Sequence, residues 1–396
     1  MEVTAFDRGW PHSGYVKFVP GGNRMKAARI VPLALSTLLF LSPAAAPLSA
    51  NETRPVDVVV VLDTSGSMEN LLDATRARLW DVVNELGRME PTPELRVGLM
   101  SFGTEKASEE EGYIVQHVDL TYELDEAYAE LMELTIGGGE EYVGRALNEA
   151  VDDMNWSPER EALRIVFVAG NEPADQGDED FLLAANAARD QDIIVNALYA
   201  GNREQGVVEK WHKVAQAGDG NFSAIDPAVG SIQIATPQDD LLLELNGSLN
   251  TTYVPYGEKG ESGLANQIAQ DSNASRLGVQ SCSSRIVAKG GALYNNASWD
   301  LVDKSLEDGF NWDMLSLSDL PQALRELSDE ERDTFIASKR SERERIQQDI
   351  QRASAEREAF VKQAMIERLG DEGLGEAMRQ VIREQAMAKG FTCEGC

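Results

Sequence analysis

Residues 56–68 read VDVVVVLDTSGSM. Val58 to Leu62 are apolar without a break, and the run stops at Asp63, after which Thr64, Ser65 and Ser67 crowd oxygen-bearing side chains around Gly66. A strand this apolar on both faces belongs to a parallel sheet covered by helices on either side. In such sheets ligands gather outside the carboxyl ends of the strands. The polar cluster therefore falls where a site belongs.

The same alternation continues along the chain. A helical stretch runs from Leu71 to Met89 and stops before Pro91. LRVGLMSF (95–102) reads as a strand, the acidic loop TEKASEEEG (104–112) follows, and YIVQHVDL (113–120) alternates as another strand. A helix over Asp125–Leu134 leads to IGGGEEYVGRALNEAV (136–151), where a glycine-rich turn opens a helix. LRIVFVAG (163–170), IIVNALYA (193–200) and NFSAI (221–225) supply further strands. Strands alternating with helices predict an α/β fold, a doubly wound and mainly parallel, Rossmann-like sheet. Beyond residue 240 strands give way to short apolar turns with Gly, Asn and Ser, marked by Tyr253, Tyr256 and Tyr294. From Ser318 the chain is charged and helical, a mostly α-helical C-terminal region. Ile346, Ile350, Ala353, Phe360 and Ala364 share one helical face, interrupted by Arg357. That stripe predicts packing on its own domain, with coiled-coil self-association as the alternative.

The chain has 396 residues, 42% hydrophobic and 26% charged, with a formal charge of −31. This is globular composition. No basic stripe exists to neutralise phosphates, so nucleic acid is an unsuitable partner. Residues 25–50 join a basic start (Lys26, Arg29) to the apolar core Ile30–Leu41 and the small-residue run SPAAAPLSA. This is the pattern of a secretory signal peptide cleaved after Ala50, with Met25 as initiator. The expected localisation is periplasmic or extracellular, without membrane insertion, or membrane-anchored if the signal is retained. Export implies an oxidising compartment. Three cysteines, Cys282, Cys393 and Cys396, leave open a small CEGC ring, one pairing with Cys282, or free thiols.

Asp63, Ser65 and Ser67 are hard oxygen donors suited to Mg²⁺, Ca²⁺ or Mn²⁺. The competing reading of the serines is capping of the helix that begins near Glu69. Catalytic constellations are incomplete. No GxxxxGK[ST] is present, and position 65 is serine where a dehalogenase-type phosphatase needs a second carboxylate. No GxSxG elbow is present, and His117 and His212 have no motif around them.

DTSGS (63–67), with the element order from Val56 to about Ile225, resembles the von Willebrand factor type A (VWA) family and its metal-ion-dependent adhesion site. The resemblance implies a divalent cation at Asp63, Ser65 and Ser67, a protein partner, and no catalysis. It also implies a threonine in a second, glycine-rich loop and an aspartate in a third. Here GGGEEYVGRAL (137–147) offers Glu140 and Glu141, and FVAGNEP (167–173) offers Gly170, Asn171 and Glu172. Glu140 or Glu141 would then join the ion, favouring Ca²⁺; otherwise both are solvated charges at a helix N-terminus. FVAGNEPADQG, IATPQDDLL, TYVPYG and ALYNNASWDLV also resemble exported bacterial proteins that join such a domain to a helical region. The expected organisation is 1–24 untranslated or disordered, 25–50 signal peptide, 54–245 VWA domain, 246–317 mixed connection and 318–396 charged helices. The expected function is cation-assisted protein binding; the alternatives are a metal-independent envelope scaffold and, further off, a metal-dependent hydrolase.

Overall fold

A computed structural model describes residues 54–225, 234–369 and 374–393. The expected leader, the segment before it and Cys396 lie outside the described residues. In chain order the elements are β1 (Arg54–Asp63), α1 (Glu69–Leu86), β2 (Met89–Glu90), β3 (Pro93–Phe102), β4 (Val115–Thr121), α2 (Leu124–Glu133) and α3 (Val143–Asp153). They continue with β5 (Leu163–Gly170), α4 (Phe181–Asp190), β6 (Ile193–Ala200), α5 (Arg203–Val208), α6 (Trp211–Ala217) and β7 (Asp219–Ile225). The C-terminal half holds α7 (Asp239–Asn250), α8 (Gly260–Arg276), α9 (Val279–Lys289), α10 (Leu301–Lys304), α11 (Gln322–Arg325), α12 (Asp329–Leu369), α13 (Leu374–Ala388) and β8 (Thr392–Cys393).

Six strands form one sheet in the order β4-β3-β1-β5-β6-β7. All neighbours run parallel except β4, which pairs antiparallel with β3 at the edge. The doubly wound α/β reading of the sequence is thus the observed fold. β4 starts at Val115, not at Tyr113, because Gly112 (φ 67) and Tyr113 (φ 57) turn the chain through two left-handed residues first. The central β1 aligns Asp63 with Phe102 and Leu62 with Ala169, so the carboxyl ends of β1, β3 and β5 stand side by side.

The alternating faces of β1 feed two cores. Val59 and Val61 pack with Leu147, Ala150, Ala184 and Trp211 from α3, α4 and α6. Val56, Val58 and Leu62 pack with Trp80, Leu86 and Tyr128 from α1 and α2. That second core does not end at α1 and α2. It runs on through Leu242, Leu249, Ala274, Ile286, Ile346, Ile350, Ile382, Ala386 and Phe391, so the C-terminal helices form a further layer on this side.

α8 and α9 occupy sequence in which only short apolar turns were expected. Their buried polar positions are Gln267, Gln270, Ser281, Ser283, Ser284, Arg285 and Lys289, and the buried Ala274, Ile286 and Ala288 are too few to reveal a period. Polar partners satisfy much of that face. Arg285 Nη2 donates to Asp125 on α2 at 3.0 Å, its Nε to Asp271 at 3.1 Å, and its guanidinium lies 4.5 Å from the Trp80 ring centroid. Lys289 meets Asp271 at 2.7 Å together with Asn246 and Asn250. On α12 the expected stripe holds at Ile346, Ile350 and Ala353, which are buried within the chain, and fails at Phe360, which is 43% exposed. The apparent interruption, Arg357, is buried against Asp239 at 2.8 Å. β8 pairs with β2, and Cys393 is disulfide-bonded while Cys282 is a free thiol, so those two are not paired with each other.

Candidate metal site at the carboxyl end of the sheet

Asp63 closes β1 and is 2% exposed. Its Oδ1 accepts the Ser65 backbone N–H at 2.8 Å, the turn that swings the serine back over the strand end. Thr64 holds the loop from both sides: its N–H donates to Phe102 O at 2.9 Å, and its own carbonyl accepts the Gly137 N–H at 2.9 Å. The first loop, the end of β3 and the glycine-rich second loop are thereby tied together.

The N-cap position of α1 is taken by neither serine. That position is Met68, whose side chain makes no capping hydrogen bond. Instead Ser65 Oγ lies 3.4 Å from Ser67 Oγ, and Ser67 Oγ lies 3.0 Å from Asn171 Oδ1 on the third loop. The Ser65 hydroxyl also reaches the carboxylates of Asp63 and Glu141, favouring the charged form of each. The structure therefore brings together Asp63, Ser65, Ser67, Glu141 and Asn171. Glu140 is exposed, and its charge bears on both Glu141 and Tyr113. Neither glutamate belongs to the first turn of α3, which begins at Val143 and has no acidic residue there.

Electrostatics mark the centre of this group. Burial pushes the Asp63 carboxyl up to about 7, the Ser65 hydrogen bonds oppose the rise, and the charge of Glu141 adds to it. Glu141 is also raised, first by its own burial and then by Glu172 and Glu140. Asp63 Oδ2 is enclosed and has no hydrogen-bond partner. The Asn171 N–H is close enough to lower the Asp63 pKa slightly but makes no bond of normal geometry to it. A buried carboxylate oxygen without a donor is an unfavourable arrangement that a proton or a metal ion relieves.

Two glycines make the enclosure possible. A Cβ on Gly103 (φ +66) would stand 3.0 Å from Asp63 Oδ1 and 3.2 Å from Glu141 Cγ. A Cβ on Gly170 would stand 2.8 Å from the Trp211 ring and 3.2 Å from Asp63 Oδ2. Trp211, pinned by Nε1 to Glu172 O at 2.8 Å, fills the space that a side chain at position 170 would need. The third loop thus offers no carboxylate there, and the second carboxylate comes from Glu141. Among the described residues no three His, Cys, Asp or Glu side chains converge as a metal-binding group. The donors here are two carboxylates, two hydroxyls and an amide oxygen. This oxygen-only set suits a hard divalent cation, and the orphaned Asp63 Oδ2 fits one.

Sequence reasoning did not place Asn171 or Gly103 in the site. Asn171 was visible in FVAGNEP, but only the register of β1 against β5 brings it to Ser67.

Residues 57–233 match the family model of the von Willebrand factor type A domain. Among solved structures, the chain is similar to the conserved hypothetical protein BatB from Bacteroides thetaiotaomicron, at 20% identity over 43% of this chain and 90% of that one, with a TM-score of 0.35. An aerotolerance-related membrane protein from Bacteroides fragilis is similar at 18% identity, over 43% and 92% of the two chains, with a TM-score of 0.33. Proximal thread matrix protein 1 from the mussel byssus, solved with a zinc-occupied MIDAS motif, is similar at 14% identity, over 43% and 42%, with a TM-score of 0.34. No curated protein matches the sequence significantly. No helix among the described residues is long and apolar enough to cross a membrane.

Proposed function

We propose, from the match of residues 57–233 to the von Willebrand factor type A domain model, that the chain is an exported, non-enzymatic protein-binding module assisted by a divalent cation. Asp63 and Glu141 would supply its anionic ligands, and Ser65, Ser67 and Asn171 its neutral oxygens. The ion would supply a fixed positive charge at the carboxyl end of the sheet, which orders the first and third loops for a partner. The residues themselves do the rest. Thr64 and Gly137 hold the two loops in register, Gly103 and Gly170 leave room, and Trp211 braces the third loop.

The observation that carries this reading is the enclosed, unpartnered Asp63 Oδ2 beside a second carboxylate. A buried acid beside a half-buried one is unfavourable without a counter-charge. With two carboxylates and neutral oxygens, Ca²⁺ is the expected preference over Mg²⁺, whose small octahedral shell retains water. Calorimetric titration of the full chain with Ca²⁺, Mg²⁺ and Mn²⁺, beside an Asp63→Asn variant of the same circular-dichroism spectrum, tests it. Saturable binding lost in the variant supports the reading. No binding at millimolar ion leaves the metal-independent scaffold in its place.

A further inference from the structure

The rim of the site is more acidic than its centre. Glu105, Glu109, Glu140, Glu172 and Asp178 are all exposed, and among the described residues none of the five forms an ion pair. They belong to one neighbourhood. Glu172 and Glu140 act on Glu141, while Glu105, Glu109 and Glu140 act on Tyr113. Glu140, Glu109 and Asp178 act on Tyr142, whose ring lies 5.9 Å from that of Tyr113. Of the nearby cations, Arg145 is engaged by Glu149 at 3.0 Å and Glu110 O at 2.6 Å, and Lys210 by Asp175, while Lys106 and Lys213 are exposed and leave the rim acidic by excess. The independent sign that this end of the molecule receives a ligand is the buried, unpartnered Asp63 Oδ2 at its centre.

We propose that the partner surface received here is a Lys/Arg-rich protein segment, and not a carboxylate that completes the ion's coordination. This rests on the binding role proposed above. A divalent ion between Asp63 and Glu141 is already neutralised, so an incoming carboxylate gains little from it and meets five like charges. An ammonium or guanidinium group meets an excess of the opposite sign, with Lys106 and Lys213 as the exceptions. Half-buried Tyr113 and Tyr142 also offer it ring faces, which attract cations within about 6 Å. The combined field raises the rate of encounter with such a segment.

The test uses the full chain and two labelled twelve-residue peptides, one rich in Arg and Lys and one its Asp/Glu counterpart. Binding is read by fluorescence anisotropy at about 0.15 M salt, where charges beyond roughly 8 Å are screened, with and without saturating Ca²⁺. The basic peptide should bind and the acidic one should not. The triple variant Glu105→Gln/Glu109→Gln/Glu140→Gln should weaken the basic peptide about tenfold or more, as three lost exposed pairings imply. The control Glu258→Gln/Glu261→Gln/Asp308→Asn removes the same charge from the C-terminal half and should stay within about twofold. Equal weakening by both variants, binding of neither peptide, or Ca²⁺-dependent binding of the acidic peptide overturns the proposal. All three rim substitutions spare the proposed ligands, so Ca²⁺ calorimetry of the triple variant should match the parent. Loss of ion binding in the parent itself would sink the cation reading while the two peptides still judge the rim.

Discussion

Cation binding should be coupled to a proton at Asp63. The perturbation is pH between 6 and 8. In the folded chain the Asp63 carboxyl titrates near 7, against 3.8 for an unperturbed aspartate, because burial disfavours its charge and Glu141 repels it. The folded state therefore binds more protons than the unfolded state between about pH 4 and pH 7. Stability without the ion falls as pH rises through that window and levels off above it. The full shift corresponds to roughly 4 kcal/mol at about 1.36 kcal/mol per unit. A metal ion needs the carboxylate, so binding must displace the proton. The apparent affinity at pH 6 should be about tenfold weaker than at pH 8, and the raised Glu141 deepens this in the same direction. Calorimetry in two buffers of different ionisation enthalpy should find about 0.9 proton released per ion at pH 6 and about 0.5 at pH 7. An affinity constant within twofold across this range, with no buffer dependence, would refute the reasoning.

Four substitutions extend the test. Glu141→Gln removes one of two anionic donors and should weaken Ca²⁺ about 10- to 100-fold by calorimetry, the range of a lost charge-assisted bond; an unchanged constant would remove Glu141 from the site. Gly103→Ala forces a side chain into the left-handed region and against Asp63 and Glu141. It should cost about 1–2 kcal/mol in urea unfolding and reduce ion affinity with it. Arg285→Met leaves Asp125 buried without its cation and should cost about 3 kcal/mol, a figure contradicted by a midpoint shift equivalent to less than 1. Ile350→Ala, at a fully buried position on α12, should cost about 2–5 kcal/mol. Because Ile350 shares a core with the sheet helices, fluorescence and far-ultraviolet circular dichroism should show one common transition.

What the sequence made legible follows from where its information is local. The strands were readable because a parallel sheet buries both faces, leaving unbroken runs such as Val58–Leu62 and Leu163–Gly170. Asp63, Ser65 and Ser67 were readable because one loop carries all three. Asn171 and Gly103 were not, since strand register alone brings them beside that loop. The choice between Glu140 and Glu141 was equally hidden: adjacent residues diverge at the end of a turn, one toward Ser65 and one toward solvent. The C-terminal half concealed most. Two helices whose buried faces hold Gln267 and Gln270, and Ser284, Arg285 and Lys289, have no apolar period to detect, although their partners satisfy much of those faces.

The core shared between the sheet and the last helices bears on the order in which the chain can fold. Val56 lies near the start of β1, yet its core is completed by Ile382, Ala386 and Phe391, more than 300 residues later. Asn196 on β6 exchanges two hydrogen bonds with Gln385 on α13, at 3.0 and 2.7 Å, and β2 waits for β8 as its pairing partner. A ribosome that has released only the α/β half has therefore released a sheet whose α1 and α2 side still lacks its outer layer. Contacts this distant in sequence slow folding, because the intervening loop must be closed before they contribute. The nascent chain stays unfinished until nearly its last helix has emerged.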